Sequence, residues 1–526
     1  GADGLRGAGR GGVLAPLLGM VGAGGGLEYQ PSLKAEIFQR MFEHLGMGDH
    51  AAVVAIVATK IGNNLKYWPD SEEIVGRTLA LFLDMASGYA TKLLLGLEPV
   101  QVLLAHHTAE HFPFLQLEAN MRHRTTFHAT LTRLLYGNLD ELEDGFDRFM
   151  EPLLALMAQL NATPDLRQES VKMAISGLCR DLRGITAATN NRRTYSILFE
   201  MLYPTYFPIF TRAAETWYDS PLVMTALLKF LTEFAFNKGQ RLVFDQSSPN
   251  GILLFRELSQ VAVAYGRRLG AAPTAGNDLY KEKYKGVAMI LNLLTTALSG
   301  NYVNFGVFAL YNDKALEDAL AVALELCLNV PVEEVIVYPK FAKAYFSFFE
   351  VLFRNHTETL IALETPTFLQ VVRAQHDGIT ALDTPMAAQC ANTIDHLASY
   401  YFRHHKPGHP NPKPGIRALN QHLNAEPSLL SKLMATLFNQ LLFGPMSNQW
   451  AVTRPILSLM LASEQAFTEY KASLLATQSP DKQAQLQEAF AKLLQDVQRN
   501  LENGNRDRFT QKLASFRLSV RSFLTM

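Results

Sequence analysis

Two histidines one helical turn apart, with a glutamate between them, are the sharpest hint of chemistry in this chain. His107-Thr-Ala-Glu110-His111 has the HxxEH order in which a helix offers two imidazoles to zinc and the carboxylate acts as base. That chemistry needs the motif on an unbroken helix and a third ligand from a second one. Phe112-Pro113 follows at once, and the residue before a proline is pushed out of the helical region. The stretch therefore reads as a polar helix end with solvated histidines, and no catalytic or metal-ligating residue is assigned.

Other charged groupings read as surface or scaffold. Asp140, Glu141, Glu143, Asp144 and Asp147 are concentrated in one short stretch. Such a patch could meet the basic surface of a protein partner, or simply mark a helix start, where acids complement the dipole. Arg180-Asp181 with Arg183, and Arg506-Asp507-Arg508, each adjoin an apolar stripe and are expected to form ion-pair ladders between helices. Neither a GxxxxGK[ST] phosphate loop nor a GxSxG nucleophile elbow occurs, so no nucleotide hydrolysis and no cofactor is expected.

The elements that must position these groups are helical. Val171, Ile175, Leu178, Leu182 and Ile185 fall at 4-3-4-3 spacing, which places one stripe along a helix. Similar stripes run through Phe341, Tyr345, Phe348 and Leu352, through Leu486, Phe490, Leu493, Val497 and Leu501, and through Phe509, Leu513, Phe516, Val520 and Phe523. Phe346 and Phe349 join the second stripe as core. Short breakers separate the stripes: Tyr67 to Asp70, Tyr203-Pro204, Asn237 to Gly239, Gly270 to Asn277, Leu328 to Val332 and Gln478 to Asp481. The polar run Asp245 to Gly251 reads as a turn between two amphipathic helices, with Asn250-Gly251 able to take tight-turn angles. His404 to Gly415, with four prolines, is expected to project as a loop.

Length and composition choose among all-helical arrangements. Helices joined by short turns, with no strand layer to cover, must bury their stripes on one another. The chain has 526 residues, too many for one closed bundle, whereas stacked pairs of ~40–47 residues give on the order of 11 units. The expectation is an all-α fold, a right-handed superhelical solenoid of HEAT-type antiparallel helix pairs, armadillo-like, over residues 28–526. Eleven of the first 26 residues are glycine, so residues 1–27 read as a flexible segment or as sequence not genuinely part of the protein. With 48% hydrophobic residues, 18% charged residues and net charge -1, neither nucleic acid nor an anionic membrane is an expected partner. No apolar run reaches the ~20 residues of a membrane span. Cys179, Cys327 and Cys390 stand far apart with no CxxC pair, and read as buried reduced thiols of a cytosolic or nuclear protein.

Several unusual words recur in one family. Asp245 to Glu257, Ala297 to Leu320, Arg124 to Leu135, Arg180 to Ile185, Asn448 to Leu457 and Asn505 to Arg517 closely resemble the exportin-7 or Ran-binding protein 16 family of importin-β-like karyopherins, in order, from about Glu28 to the C-terminus. The resemblance covers the C-terminal half of that longer family. It implies the same HEAT-type architecture and a nuclear transport receptor that carries protein cargo through the pore under control of Ran in its GTP form, shuttling between nucleus and cytoplasm. It also implies contact with the phenylalanine-glycine proteins of the pore. The N-terminal repeats that supply the principal Ran surface in such receptors have no counterpart here. Candidate contact surfaces are the acidic patch from Asp140 to Asp147, the loop with Asp245, Gln246 and Asn250, and the loop with Asn301 and Asn304. The alternative is a HEAT-repeat scaffold without Ran dependence.

Overall fold

In the computed structural model, the described residues are 40, 43, 44, 46, 50–87, 91–137, 142–244, 248–272, 278–381, 383–405, 412–444 and 449–524. Among them helices alternate with short turns, and no strand occurs. The expected segment 1–27 lies outside the described residues. The chain divides into two compact units, Gly1–Tyr265 and Gly266–Met526.

In the first unit the helices are α1 (His50–Tyr67), α2 (Glu72–Ala86), α3 (Thr91–Leu95), α4 (Glu98–Ala105), α5 (Arg124–Leu135), α6 (Leu142–Ala162), α7 (Glu169–Ala188), α8 (Arg192–Leu202), α9 (Phe207–Thr216) and α10 (Pro221–Ala235). Two layers form. One joins α2, α5, α7 and α10, each against the next, and the other joins α1, α4, α6 and α9. Helix starts are written into the sequence: Ser71 accepts from the Ile74 amide at 3.4 Å and Asn191 from the Thr194 amide at 3.0 Å.

Helix α11 (Asn250–Ala271) contains the division between the units. Asn250 and Gly251 are helical, against the expectation of a turn there. The reason is the dipeptide before them. Ser248 accepts from the Asn250 amide at 3.2 Å, and Pro249 supplies the fixed φ suited to a helix start.

The second unit continues with α12 (Lys285–Ser299), α13 (Gly306–Leu310), α14 (Ala315–Leu328), α15 (Val332–Val337), α16 (Pro339–Asn355), α17 (Thr357–Ile361), α18 (Thr365–Ala381), α19 (Thr384–His404), α20 (Pro414–Ala425), α21 (Leu429–Phe443), α22 (Gln449–Ala462), α23 (Glu464–Ala476), α24 (Pro480–Leu494) and α25 (Asn503–Arg521). One layer runs α12, α16, α19, α22, α25, and the other α14, α18, α21, α23, α24. Gln389 Nε2 donates to Ser347 Oγ at 3.0 Å and Asn392 Nδ2 to Glu350 Oε1 at 3.4 Å, so α16 and α19 run parallel at an offset of 42 residues. That offset is the length of a HEAT-type pair.

The aromatic stripe of α16 is fully inside, Phe346, Phe348 and Phe349 included. The stripe expected to run from Leu486 to Leu501 stops short, because α24 ends at Leu494 and Asp496 turns left-handed at φ 60°. Asn505 Nδ2 then donates to the carbonyls of Gln498 and Asn500 at 2.7 and 2.8 Å, holding the chain in a loop that Val497 and Leu501 share. Of the proline-rich connection, residues 406–411 lie outside the described residues, while Pro414 and Gly415 already belong to α20.

Candidate functional site

Helices α5 and α7 meet more closely than ordinary side chains allow. A Cβ on Gly184 would stand 2.3 Å from the Thr125 carbonyl oxygen, and one on Gly177 would stand 2.9 Å from the Arg124 guanidinium carbon. Glycines seven residues apart share one face of α7, and that face lies against α5. Tyr136 faces Thr189 at 3.2 Å and Arg124 faces Asp181, so the two helices run parallel.

Asp181 sits at the centre of this contact, fully buried. Arg124 Nε donates to its Oδ1 at 2.8 Å, Arg124 Nη2 bonds its other oxygen, and His128 Nδ1 lies 3.0 Å from Oδ1. Burial alone would raise the carboxyl pKa, but Arg124 and His128 hold it below the usual carboxylate range. Asp181 thus bridges neighbouring helix pairs as the expected ladder would. Its flanking arginines do not join it: Arg180 Nε is sealed from solvent with no partner.

The HxxEH stretch is not on a helix. Helix α4 ends at Ala105, and residues 108–111 are turn. His107 is not solvated as expected but buried, with Nε2 2.9 Å from the Phe149 carbonyl oxygen and its ring edge-on to His128. Burial, and then His128, bring its pKa down to about 4. His111 instead stacks on His106 at 4.2 Å. Among the described residues no group of three or more side chains is arranged to hold a metal ion.

A second polar clamp was not legible beforehand. Arg241, fully buried, follows a short 3-10 turn at Lys238–Gln240. Its Nη1 donates to the carbonyls of Thr186 and Thr189 at 2.5 and 2.6 Å, its Nε to Phe236 at 3.0 Å, and its Nη2 to Glu233. One guanidinium therefore answers the open carbonyls at the ends of both α7 and α10, where a cation also suits the dipole. In the second unit Arg506 of α25 donates to Asp395 at 3.0 Å and Ser399 at 3.1 Å, both on α19.

Of the expected contact residues, Asp140, Glu141, Asp245 and Gln246 lie outside the described residues. Glu143, Asp144 and Asp147 fall in the first two turns of α6, with Asp144 and Asp147 exposed. Asn250 opens α11. Asn301 is exposed in the left-handed region at φ 56°, and Asn304 Oδ1 accepts from the Gly306 amide at 3.2 Å to start α13. Beyond it Leu310 and Tyr311 are 77% and 75% exposed, an apolar tip that sequence reading missed. Its only signal was an apolar pair directly before Asn312-Asp313.

The stacked pairs define a helical-repeat protein. Residues 28–123 match the family model described as Exportin-7-like, TPR domain. The chain is 39% identical over 508 residues to Exportin-7-B of Xenopus laevis, covering 93% of this chain and 46% of that one. To Ran-binding protein 17 of Homo sapiens it is 39% identical over 502 residues, 92% of this chain and 46% of that protein. Exportin-7 of Dictyostelium discoideum is 31% identical over 491 residues, 93% of this chain and 48% of its own. The solved cytosolic state of importin13 aligns with 92% of this chain and 52% of its own, at TM-score 0.47 and 12% identity. The chain belongs to the exportin-7 family, and it spans about half the length of the curated relatives it matches.

Proposed function

We propose that this chain serves nuclear transport, as part of a receptor that carries protein cargo through the pore under control of Ran in its GTP form. The observation that carries the reading is similarity to exportin-7 proteins along nearly the whole chain, in register with a stack of helix pairs. Such a stack suits the task physically: each pair touches its neighbours, so small rotations add, and one partner's binding alters the surface another meets. That coupling is reciprocal in free energy.

The exposed acids Asp144 and Asp147, with Glu143, Asp140 and Glu141, form one proposed contact surface. Asn301 and Asn304, continued by Leu310 and Tyr311, form another, and Asp245, Gln246 and Asn250 a third. The phenylalanine-glycine proteins of the pore are proposed as further partners, with shuttling between nucleus and cytoplasm.

The test is binding of Ran, loaded with a non-hydrolysable GTP analogue or with GDP, to this chain and to full-length Exportin-7-B. GTP-selective binding by the relative alone assigns this chain to cargo, and selectivity in both places a Ran surface here. No nucleotide dependence in either leaves the HEAT-type scaffold.

A further inference from the structure

Because Asp181 turns inward to Arg124 and His128, it leaves its two neighbours behind. Arg180 and Arg183 lie one turn apart on α7, both half-buried. No ion pair or side-chain hydrogen bond engages either among the described residues, and Arg180 Nε is closed to solvent. Comparable arginines elsewhere are answered: Arg124 and Arg506 by aspartates, Arg241 and Arg212 by carbonyl oxygens. Burial first, and then the nearby charges of Arg183 and Arg124, pull the Arg180 pKa below an ordinary arginine. A half-buried cation beside like charges is unfavourable to keep without a counter-ion.

We propose that Arg180 and Arg183 form an anion-recognition pair that takes the carboxylates of an acidic, Asp- or Glu-rich segment of a protein partner. Guanidinium forks match carboxylates in bidentate geometry. Residues one helical turn apart stand about 5–6 Å from each other, close to the ~7 Å between alternate side chains of an extended peptide. A nucleic acid fits less well. The other cation whose charge reaches Arg180, Arg124, is already committed to Asp181, and the net charge is -1. Two free arginines suit a short acidic segment better than a phosphate backbone. The inference deepens the transport reading and rests on it only in expecting a protein partner.

The experiment titrates a fluorescein-labelled peptide of alternating Glu and Gly with the full chain, its Arg180→Gln/Arg183→Gln variant and Arg133→Gln. The wild-type chain should bind, more weakly as salt is raised, and Arg133→Gln should match it. The double variant should bind at least about ten-fold more weakly while melting at the same or a higher temperature. No binding by the wild-type chain, or equal binding by the double variant, overturns the proposal. So does a lower melting temperature for the double variant, which marks a structural pair, or preference for a single-stranded oligonucleotide. No peptide binding by the wild-type chain, with GTP-selective Ran binding found in the Ran experiment, removes this pair and leaves the transport reading standing; the reverse result separates them equally well.

Discussion

Nη1 of Arg241 lies 2.6 Å from the carbonyl oxygen of Thr189, a residue 52 positions earlier that closes α7. The same guanidinium bonds carbonyls at the end of α10, so one side chain fastens the ends of two consecutive repeats. Replacing it leaves several buried carbonyls without a donor. Arg241→Met is expected to lower stability by about 3 kcal/mol, read by chemical denaturation. Arg241→Lys should recover only part of that, because an ammonium lacks the planar fork. A neutral Arg241→Met would show that water replaces the clamp.

Gly184 tests the closeness of α5 and α7. With the Thr125 carbonyl oxygen 2.3 Å from the position of a Cβ, Gly184→Ala must push two helices apart. A loss of ~2 kcal/mol is expected. Gly504 of α25 has nothing within 4 Å of its Cβ position, so Gly504→Ala should stay within about 0.5 kcal/mol of wild type. Equal effects at the two positions would contradict the close crossing.

The buried His107 predicts a pH dependence. Its pKa falls from 6.5 in the unfolded chain to about 4 in the folded one, chiefly through burial. Between those values the unfolded state binds the proton and the folded state does not, so stability declines as pH drops from 6.5 toward 4. The full contribution is about 3 kcal/mol. His107→Phe should flatten that stretch of the stability curve, measured by denaturant midpoints across the range. A slope unchanged by the substitution would assign the dependence to other groups.

What was readable beforehand was whatever has a short period. The stripe through Ile175, Leu178, Leu182 and Ile185 reports one helix face and is fully buried in α7, as is that of Phe341, Tyr345, Phe348 and Leu352 in α16. The repeat itself has no such regularity. Equivalent residues of α16 and α19 stand 42 apart, while Arg124 and Asp181 of α5 and α7 stand 57 apart, so no fixed spacing marks successive pairs. Pairing partners were harder still. The sequence places Asp181 between two arginines, yet its partners come from a helix far away in the chain, a choice made by packing around Gly177 and Gly184. Ser248-Pro249 was a readable helix start outweighed by the neighbouring Asn250-Gly251. Arg241 carried no pattern at all, since a lone arginine just past Gly239-Gln240 looks like any solvated loop residue.

The reach of Arg506 past α22 to Asp395 changes how the far end of the chain can come undone. A row of elements that each grip only the next can peel away one at a time. Here α25 cannot be released while α19 keeps its hold on that guanidinium, and a lone charge left inside would be strongly resisted. Helices α19, α22 and α25 should therefore open together, appearing in hydrogen exchange as one block with a shared opening energy rather than a gradient toward the terminus.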